Sequence, residues 1–194
     1  MSITDRYYNT NAKIYFESTI TADVSPLREK FLYLIPEGGH ILDLGCGSGR
    51  DSKAFRDMGY HVSAIDSSEE LCKLAREYTG IEVKFADFMS LSEHSVFDGI
   101  WACASLLHVS TKDLPIILGK MRDALVQEGI IYASFKYGYF EGERDGRYYT
   151  DMTAERFSQF LSNTNSLFIV DEWYSEDVIK SRNNMWYNVI LRKE

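Results

Sequence analysis

The sequence predicts an α/β fold, a doubly wound and mostly parallel sheet with helices on both faces. Three observations predict it. Short apolar runs alternate with amphipathic stretches from His40 to Phe135, the pattern of strand-helix units wound around one sheet. The run Phe97 to Ser105 is nearly continuous in apolar residues, as in a strand covered on both faces. The first two runs close on Gly45-Cys46-Gly47-Ser48-Gly49 and on Asp66, residues suited to the carboxyl edge where such sheets bind ligands.

The elements follow in order. Tyr7 to Thr19 is an aromatic, polar lead-in, and Pro26 to Leu34 predicts a helix. His40-Ile41-Leu42-Asp43-Leu44 reads as a buried strand. Arg50 to Met58 predicts a helix stopped by Gly59, and Tyr60 to Ile65 a strand closing on Asp66. Ser67 with Glu70 forms a capping-box pattern for a helix with Leu71, Leu74, Ala75 and Tyr78 on one face and Gly80 at its end. Val83 to Ala86 is a third strand, followed by Asp87. Lys112 to Val126 predicts a helix, with Leu114, Ile117, Leu118, Met121 and Leu125 at helical spacing and Pro115 in the first turn, where proline is tolerated. Gly129 leads into a strand from Ile130 to Phe135. Thr153 caps a helix through Leu161, and Leu167 to Tyr174 and Trp186 to Arg192 are strand-like.

Composition narrows the function classes. A chain of 194 residues, 45% hydrophobic and 26% charged, is long enough for a sizeable core and is not disordered. Three prolines and no low-complexity stretch leave no linker, so residues 1–194 are expected to form one domain. No apolar run is long enough to cross a bilayer, and Met1 to Arg6 lacks the features of a secretory signal, so a cytoplasmic location is the expectation. The net charge of −8 repels phosphate backbones and argues against DNA as partner, while a local basic patch for tRNA stays open. Cys46, Cys72 and Cys103 have no metal-ligand spacing and read as small hydrophobes. The four histidines add no metal signature, so no metal site is expected. Nothing in the sequence bears on oligomeric state.

The glycine turn carries the chemistry. Glycines admit positive φ and let a ligand approach the main chain, and the helix that follows offers free N–H groups to an anion. The spacing is Gly-x-Gly-x-Gly, unlike the Gly-x-Gly-x-x-Gly of dinucleotide folds, and no Gly-Lys-Ser/Thr follows, which excludes a phosphate-binding P-loop. Asp66, at the second strand's end, stands where an acid bonds ribose hydroxyls in nucleotide-binding units. The bland alternatives are a plain tight turn for the glycines and a helix cap for Asp66.

The segment Ile41 to Gly49 resembles motif I of the class I S-adenosylmethionine-dependent methyltransferases. The likeness continues through Asp66, Ala86-Asp87-Phe88, Phe97-Asp98-Gly99-Ile100-Trp101 to His108, and Leu125 to Ile131. It implies a Rossmann-like sheet with a closing C-terminal antiparallel hairpin, S-adenosyl-L-methionine as cofactor and S-adenosyl-L-homocysteine as product. By that resemblance Gly45, Gly47 and Gly49 approach the methionine portion, Asp43 orients the loop or meets the ammonium through water, and Asp66 binds the ribose. Asp87 meets the adenine amine with Phe88 beside the ring, and the main chain near Ala102 and Cys103 lies by the ammonium. Cys46 and Ser67 complete the cofactor-binding set, and Arg50 is the candidate partner of the cofactor carboxylate, against a plain surface ion pair.

The remaining candidates are less sharply marked. His108 follows the fourth strand, and its near-neutral pKa suits a general base as well as a structural role. Lys136, Tyr137 and Tyr139 fall on the same edge. Glu141 to Tyr149 is expected to be a solvated loop, with Arg144 and Arg147 as an alternative clamp for an acidic group. Residues 1–35 are expected to be helical and aromatic and to cover the cofactor site, or else to pack on the sheet. No Asn/Asp-Pro-Pro-Tyr/Phe segment stands at Ala104-Ser105-Leu106-Leu107, so the likeness to DNA amino-methylating enzymes is absent and a small-molecule acceptor is expected. A tRNA or protein methyltransferase, a non-catalytic S-adenosylmethionine-binding protein and a nicotinamide-dependent oxidoreductase are the alternatives.

Overall fold

The computed structural model describes residues 1–161 and 164–194. Five strands pair in parallel: β1 (His40–Leu44), β2 (His61–Asp66), β3 (Val83–Phe85), β4 (Phe97–Ala102) and β5 (Leu125–Lys136). Two antiparallel strands, β8 (Leu167–Glu176) and β9 (Met185–Lys193), complete a sheet of order β3-β2-β1-β4-β5-β9-β8. The chain winds outward from β1 to β3, then crosses back to β4. The switch point therefore lies between β1 and β4, just beyond Leu44 and Ala102, where a crevice forms in such sheets.

Alternation along the strands divides the core between two faces. Leu42, Leu44, Ile100, Ile131 and Ala133 pack with Leu118 and Met121 of α6 (Leu114–Ala124) and Phe157 of α7 (Ala154–Leu161). Ile41, Trp101 and Tyr132 pack with Phe31 of α3 (Ser25–Leu32) and Phe55 of α4 (Arg50–Asp57). Trp101 stacks on Tyr132 with ring centroids 4.1 Å apart. Among the described residues no helix is long and apolar enough to cross a membrane.

Several elements depart from the sequence reading, each for a local reason. The aromatic lead-in forms two helices, α1 (Ile3–Thr10) and α2 (Ala12–Thr19). The cap of α5 (Glu69–Thr79) is Ser68, whose Oγ accepts from Leu71 N at 3.2 Å, one residue beyond the expected Ser67. Its buried face is Leu71, Cys72, Ala75 and Thr79, and Tyr78 is exposed. The helix expected to reach Val126 ends at Ala124, because Leu125 already pairs with Phe97 as the first residue of β5. The stretch read as a solvated loop is a hairpin, β6 (Glu141–Arg144) and β7 (Arg147–Thr150), with Asp145 and Gly146 both at positive φ in its turn. Turns of that kind match the twist of paired strands.

Gly49 shows why the glycine turn is tight. Its φ is +75°, and a Cβ there would stand 2.6 Å from Thr79 Cγ2 and 3.1 Å from Ala75 Cβ of α5. The glycine lets α4 and α5 pack together. Gly49→Ala is expected to destabilise the protein by about 2–4 kcal/mol, from left-handed strain plus overpacking. A urea-unfolding free energy within about 0.5 kcal/mol of wild type, the range of a neutral surface change, would contradict that packing role.

Candidate functional site

Two cavities open at the switch point. One, of about 290 Å³, lies over the ends of β1, β2 and β3, with Asp66, Ser67, Asp87, Phe88 and His108 in its wall. The second, of about 120 Å³, lies on the other side of the glycine turn, walled by Asp43, Cys46, Arg50, Cys103 and Ser134. Tyr15, Gly45 and Ala104 line both, so the two spaces meet over Gly45.

Main-chain bonding builds the turn. Gly45 N and Cys46 N donate to Ile65 O at 3.0 and 2.9 Å. Asp66 closes the other side: its Oδ2 accepts from Gly47 N and its Oδ1 from Ser68 N, both at 2.8 Å. Ser105 Oγ donates to Leu44 O at 2.6 Å, and a Cβ on Gly45 would fall 2.6 Å from Ser105 Cβ. Burial pushes the Asp66 carboxyl up to about 6 even though these two N–H groups favour its charged form.

Beneath the turn lies a buried charge network. Asp51 accepts from Arg28 at 2.7 Å, from Arg50 at 2.6 and 3.1 Å, and from Trp101 Nε1 at 3.0 Å. Burial works against the Asp51 charge, but Arg50 and Arg28 hold its carboxyl below the usual range. Asp43 accepts from Ser52 Oγ at 2.5 Å, and burial together with the Asp51 charge pushes it up to about 7. The thiols of Cys46, Cys72 and Cys103 are all raised by burial, Cys103 to about 12, which suits packing and not nucleophilic attack.

The first two helices lie across the opening. Tyr15 sits on Gly47, with its Cε1 3.1 Å from where a Cβ would be. Polar contacts fasten the helices: Ser67 Oγ to Asp5 Oδ1 at 2.7 Å, Ser68 Oγ to Asn9 Oδ1 at 3.0 Å, and Tyr148 N to Thr4 Oγ1 at 3.0 Å. His108 has both nitrogens engaged. Its Nδ1–H donates to Tyr148 O at 2.6 Å, which leaves Nε2 to accept from Tyr8 OH at 2.8 Å. Burial, with Arg147 and Lys136 nearby, lowers the imidazole to about 4.

Of the residues singled out in the sequence, Asp43, Gly45, Cys46, Gly47, Arg50, Asp66, Ser67, Asp87, Phe88 and His108 line one or both cavities. Gly49 and Ala102 do not: Gly49 faces α5 and Ala102 is fully buried in the sheet. Asp87 is exposed, and its Oδ1 caps the short turn Phe88–Ser90 through Ser90 N at 2.8 Å. Thr4, Asp5, Asn9, Ser134 and Asn188 escaped the sequence reading, because each reaches the site from a distant part of the chain. Only the alternation along β5 hints at Ser134, two residues before Lys136.

A sheet with a divided ligand cavity at its switch point defines a small-ligand-binding α/β protein. The family model described as methyltransferase domain matches residues 41–129. The matched stretch, somewhat under half of the chain, is similar to that family, and it contains the glycine turn, Asp66 and Asp87. The chain is 30% identical over 95 residues to a ubiquinone biosynthesis O-methyltransferase of Xanthomonas axonopodis pv. citri, covering 44% of this chain and 40% of the relative. The chain thus covers less than half the length of the curated relatives it first matches. In fold it is similar to the 1,6-didemethyltoxoflavin-N1-methyltransferase of Burkholderia thailandensis, solved with its acceptor and S-adenosylhomocysteine. That match has a TM-score of 0.75 at 19% identity, over 97% of this chain and 84% of the other. The (4+2)-cyclase SpnF matches with a TM-score of 0.75 at 16% identity, over 97% and 94% of the two chains.

The raised carboxyls have a consequence for stability. From the ordinary carboxylate range up to about 6 for Asp66 and about 7 for Asp43, the folded protein keeps protons that the unfolded chain releases. Stability therefore falls as pH rises through that window. The urea midpoint of the ligand-free protein is expected to drop between about pH 4 and about pH 7, and less so in Asp43→Asn. An identical drop in both proteins would remove Asp43 as a source of the slope.

Proposed function

We propose that this chain transfers the methyl group of S-adenosylmethionine to a small-molecule acceptor. The observation that carries this reading is the pair of cavities meeting over Gly45, one suited to a nucleoside and the other to an amino-acid moiety. The residues present fit such a cofactor. Asp66 spends one acceptor site of each oxygen on main-chain N–H groups, and an ionised carboxylate has about four, so ribose hydroxyls can be accepted. Phe88 and Asp87 border the space next to it for the adenine, with Ser67 at its rim. On the other side Arg50 offers a cation to the methionine carboxylate, and Asp43 and Cys46 shape the wall.

When bound, the cofactor supplies a methyl group on a sulfonium, whose departure needs no acid. The chain's own task is alignment and exclusion of water. Residues 1–35 are assigned the covering role, Tyr15 on the turn and Tyr8 against His108. His108 is assigned to holding Tyr8, because its Nε2 lone pair is already taken and its pKa sits near 4. A small acceptor is supported by the net charge of −8 and by the names of the ubiquinone and toxoflavin methyltransferases among the relatives.

Calorimetry tests the reading directly. S-adenosylhomocysteine is expected to bind and NAD not to, and Asp66→Ala to weaken binding by about tenfold or more, as for a lost charge-assisted bond. Binding of neither S-adenosylmethionine nor its product would overturn it, and label transfer into tRNA instead of a metabolite extract would overturn the acceptor class. For His108, nitrogen NMR is expected to show a neutral ring protonated at Nδ1 until about pH 4; titration near the ordinary histidine value would return it to the role of general base.

A further inference from the structure

The C-terminal edge of β5 gathers three cations around one ring. Lys136 Nζ lies 4.6 Å, Arg144 Cζ 4.6 Å and Arg147 Cζ 5.2 Å from the centroid of Tyr149, which is buried. Arg147 also lies 4.3 Å over Tyr7 and 5.9 Å over Tyr8. The nearby carboxylates do not balance this charge. Asp151 is taken by Arg144, at 3.0 and 3.2 Å. Glu141 is held by Thr111, by Tyr148 OH at 2.8 Å and by Arg156 at 2.7 Å, and Asp145 is exposed at the hairpin turn. Among the described residues neither Lys136 nor Arg147 has a carboxylate within ion-pair distance. Arg147 Nε is moreover buried with no hydrogen-bond partner, a donor left without an acceptor. Burial and the repulsion of Arg144 and Arg147 lower the Lys136 pKa, as expected where positive charge is in excess.

The position of this cluster relates it to the cavities. Ser134 and Lys136 point to the same face of β5. Ser134 lines the smaller cavity and its Oγ accepts from Ala104 N at 2.8 Å. Tyr149 meets His108 of the larger cavity, with ring centroids 5.0 Å apart. None of the three cations lines either cavity; the cluster adjoins the larger one through the Tyr149–His108 ring contact.

The geometry points to Lys136 and Arg147 as a binding site for an anionic group, a carboxylate or a phosphate, carried by the methyl acceptor. It rests on the methyltransferase reading for the words "methyl acceptor"; the anion site itself stands on the unbalanced cations. Ring faces fix the two cations in place, so they meet an anion with little further ordering.

The test uses the full chain saturated with S-adenosylhomocysteine and titrated by amide NMR with benzoate, phenyl phosphate and neutral benzamide. Benzoate or phenyl phosphate is expected to shift the Lys136 and Tyr149 amides saturably, the tighter of the two naming the source of charge, and benzamide is not. Lys136→Met and Arg147→Met are each expected to weaken the anion by about tenfold, as for one charge-assisted bond, with S-adenosylhomocysteine affinity and the circular dichroism spectrum of Lys136→Met unchanged. Equal anion binding in wild type and Lys136→Met, or equal shifts with benzamide, would overturn the site. Anion binding without any affinity for S-adenosylhomocysteine would leave the site standing and remove the methyltransferase reading instead.

Discussion

The Asp66 carboxylate, bonded at once to Gly47 N and Ser68 N, is the interaction on which the ligand edge depends. One side chain at the end of β2 ties the turn before α4 to the turn before α5. It gives two buried donors their acceptor, and a donor stranded there would cost about 1–3 kcal/mol. It also draws two helix N-termini, with their partial positive charge, toward one crevice. The close packing of α4 on α5 at Gly49 follows from that convergence, since no side chain fits between Gly49, Ala75 and Thr79. The charge is held at a cost that appears in the raised carboxyl.

Below this bridge the site has a stiff floor, and above it a cover of different chemistry. The floor is Asp51 with Arg28, Arg50 and Trp101, set in the apolar packing of Phe31, Phe55 and Trp101. The cover is fastened by side chains of Thr4, Asp5, Tyr8 and Asn9. Hydrogen bonds exchanged with water are worth only about 0.5–1.5 kcal/mol each, whereas a core aromatic is worth several times that. The first two helices are thus the less firmly held side of the site, in keeping with the covering role proposed for residues 1–35.

The readable part of the sequence was the part governed by local rules. The strand His40–Leu44 and its glycine turn are set by an apolar run and by backbone freedom, and both appear within a few residues in the sequence. Ser67 and Ser68 show the limit: two serines side by side are equal candidates for the cap, and the choice is made by Asp66, which takes Ser68 N, and by Asp5, which takes Ser67 Oγ. The β6–β7 hairpin went unread because its residues are charged and aromatic on both faces, and its partners are α1 and His108 instead of an apolar sheet. The contacts of Thr4, Asp5 and Asn9 span some 60 to 140 positions, and no periodicity reports pairs so far apart.

The same fold carries a methyltransferase and a cyclase among the solved structures similar to this chain, so the sheet and its glycine turn do not choose the reaction partner. What is added at the carboxyl edge does: here α1 and α2 on one side and the β6–β7 hairpin on the other. On a chain of net charge −8, the hairpin and the end of β5 nevertheless concentrate three cations on Tyr149. The net charge repels an approaching anion at long range, and this cluster is a local exception to it. A local field opposite to the net charge concentrates anions beside it, and under the proposal made above it would also fix which end of an anionic acceptor rests on Lys136 and Arg147. Methyl transfer demands in-line alignment, and a fixed charge at one end of the proposed acceptor would be a simple way for this fold to supply it.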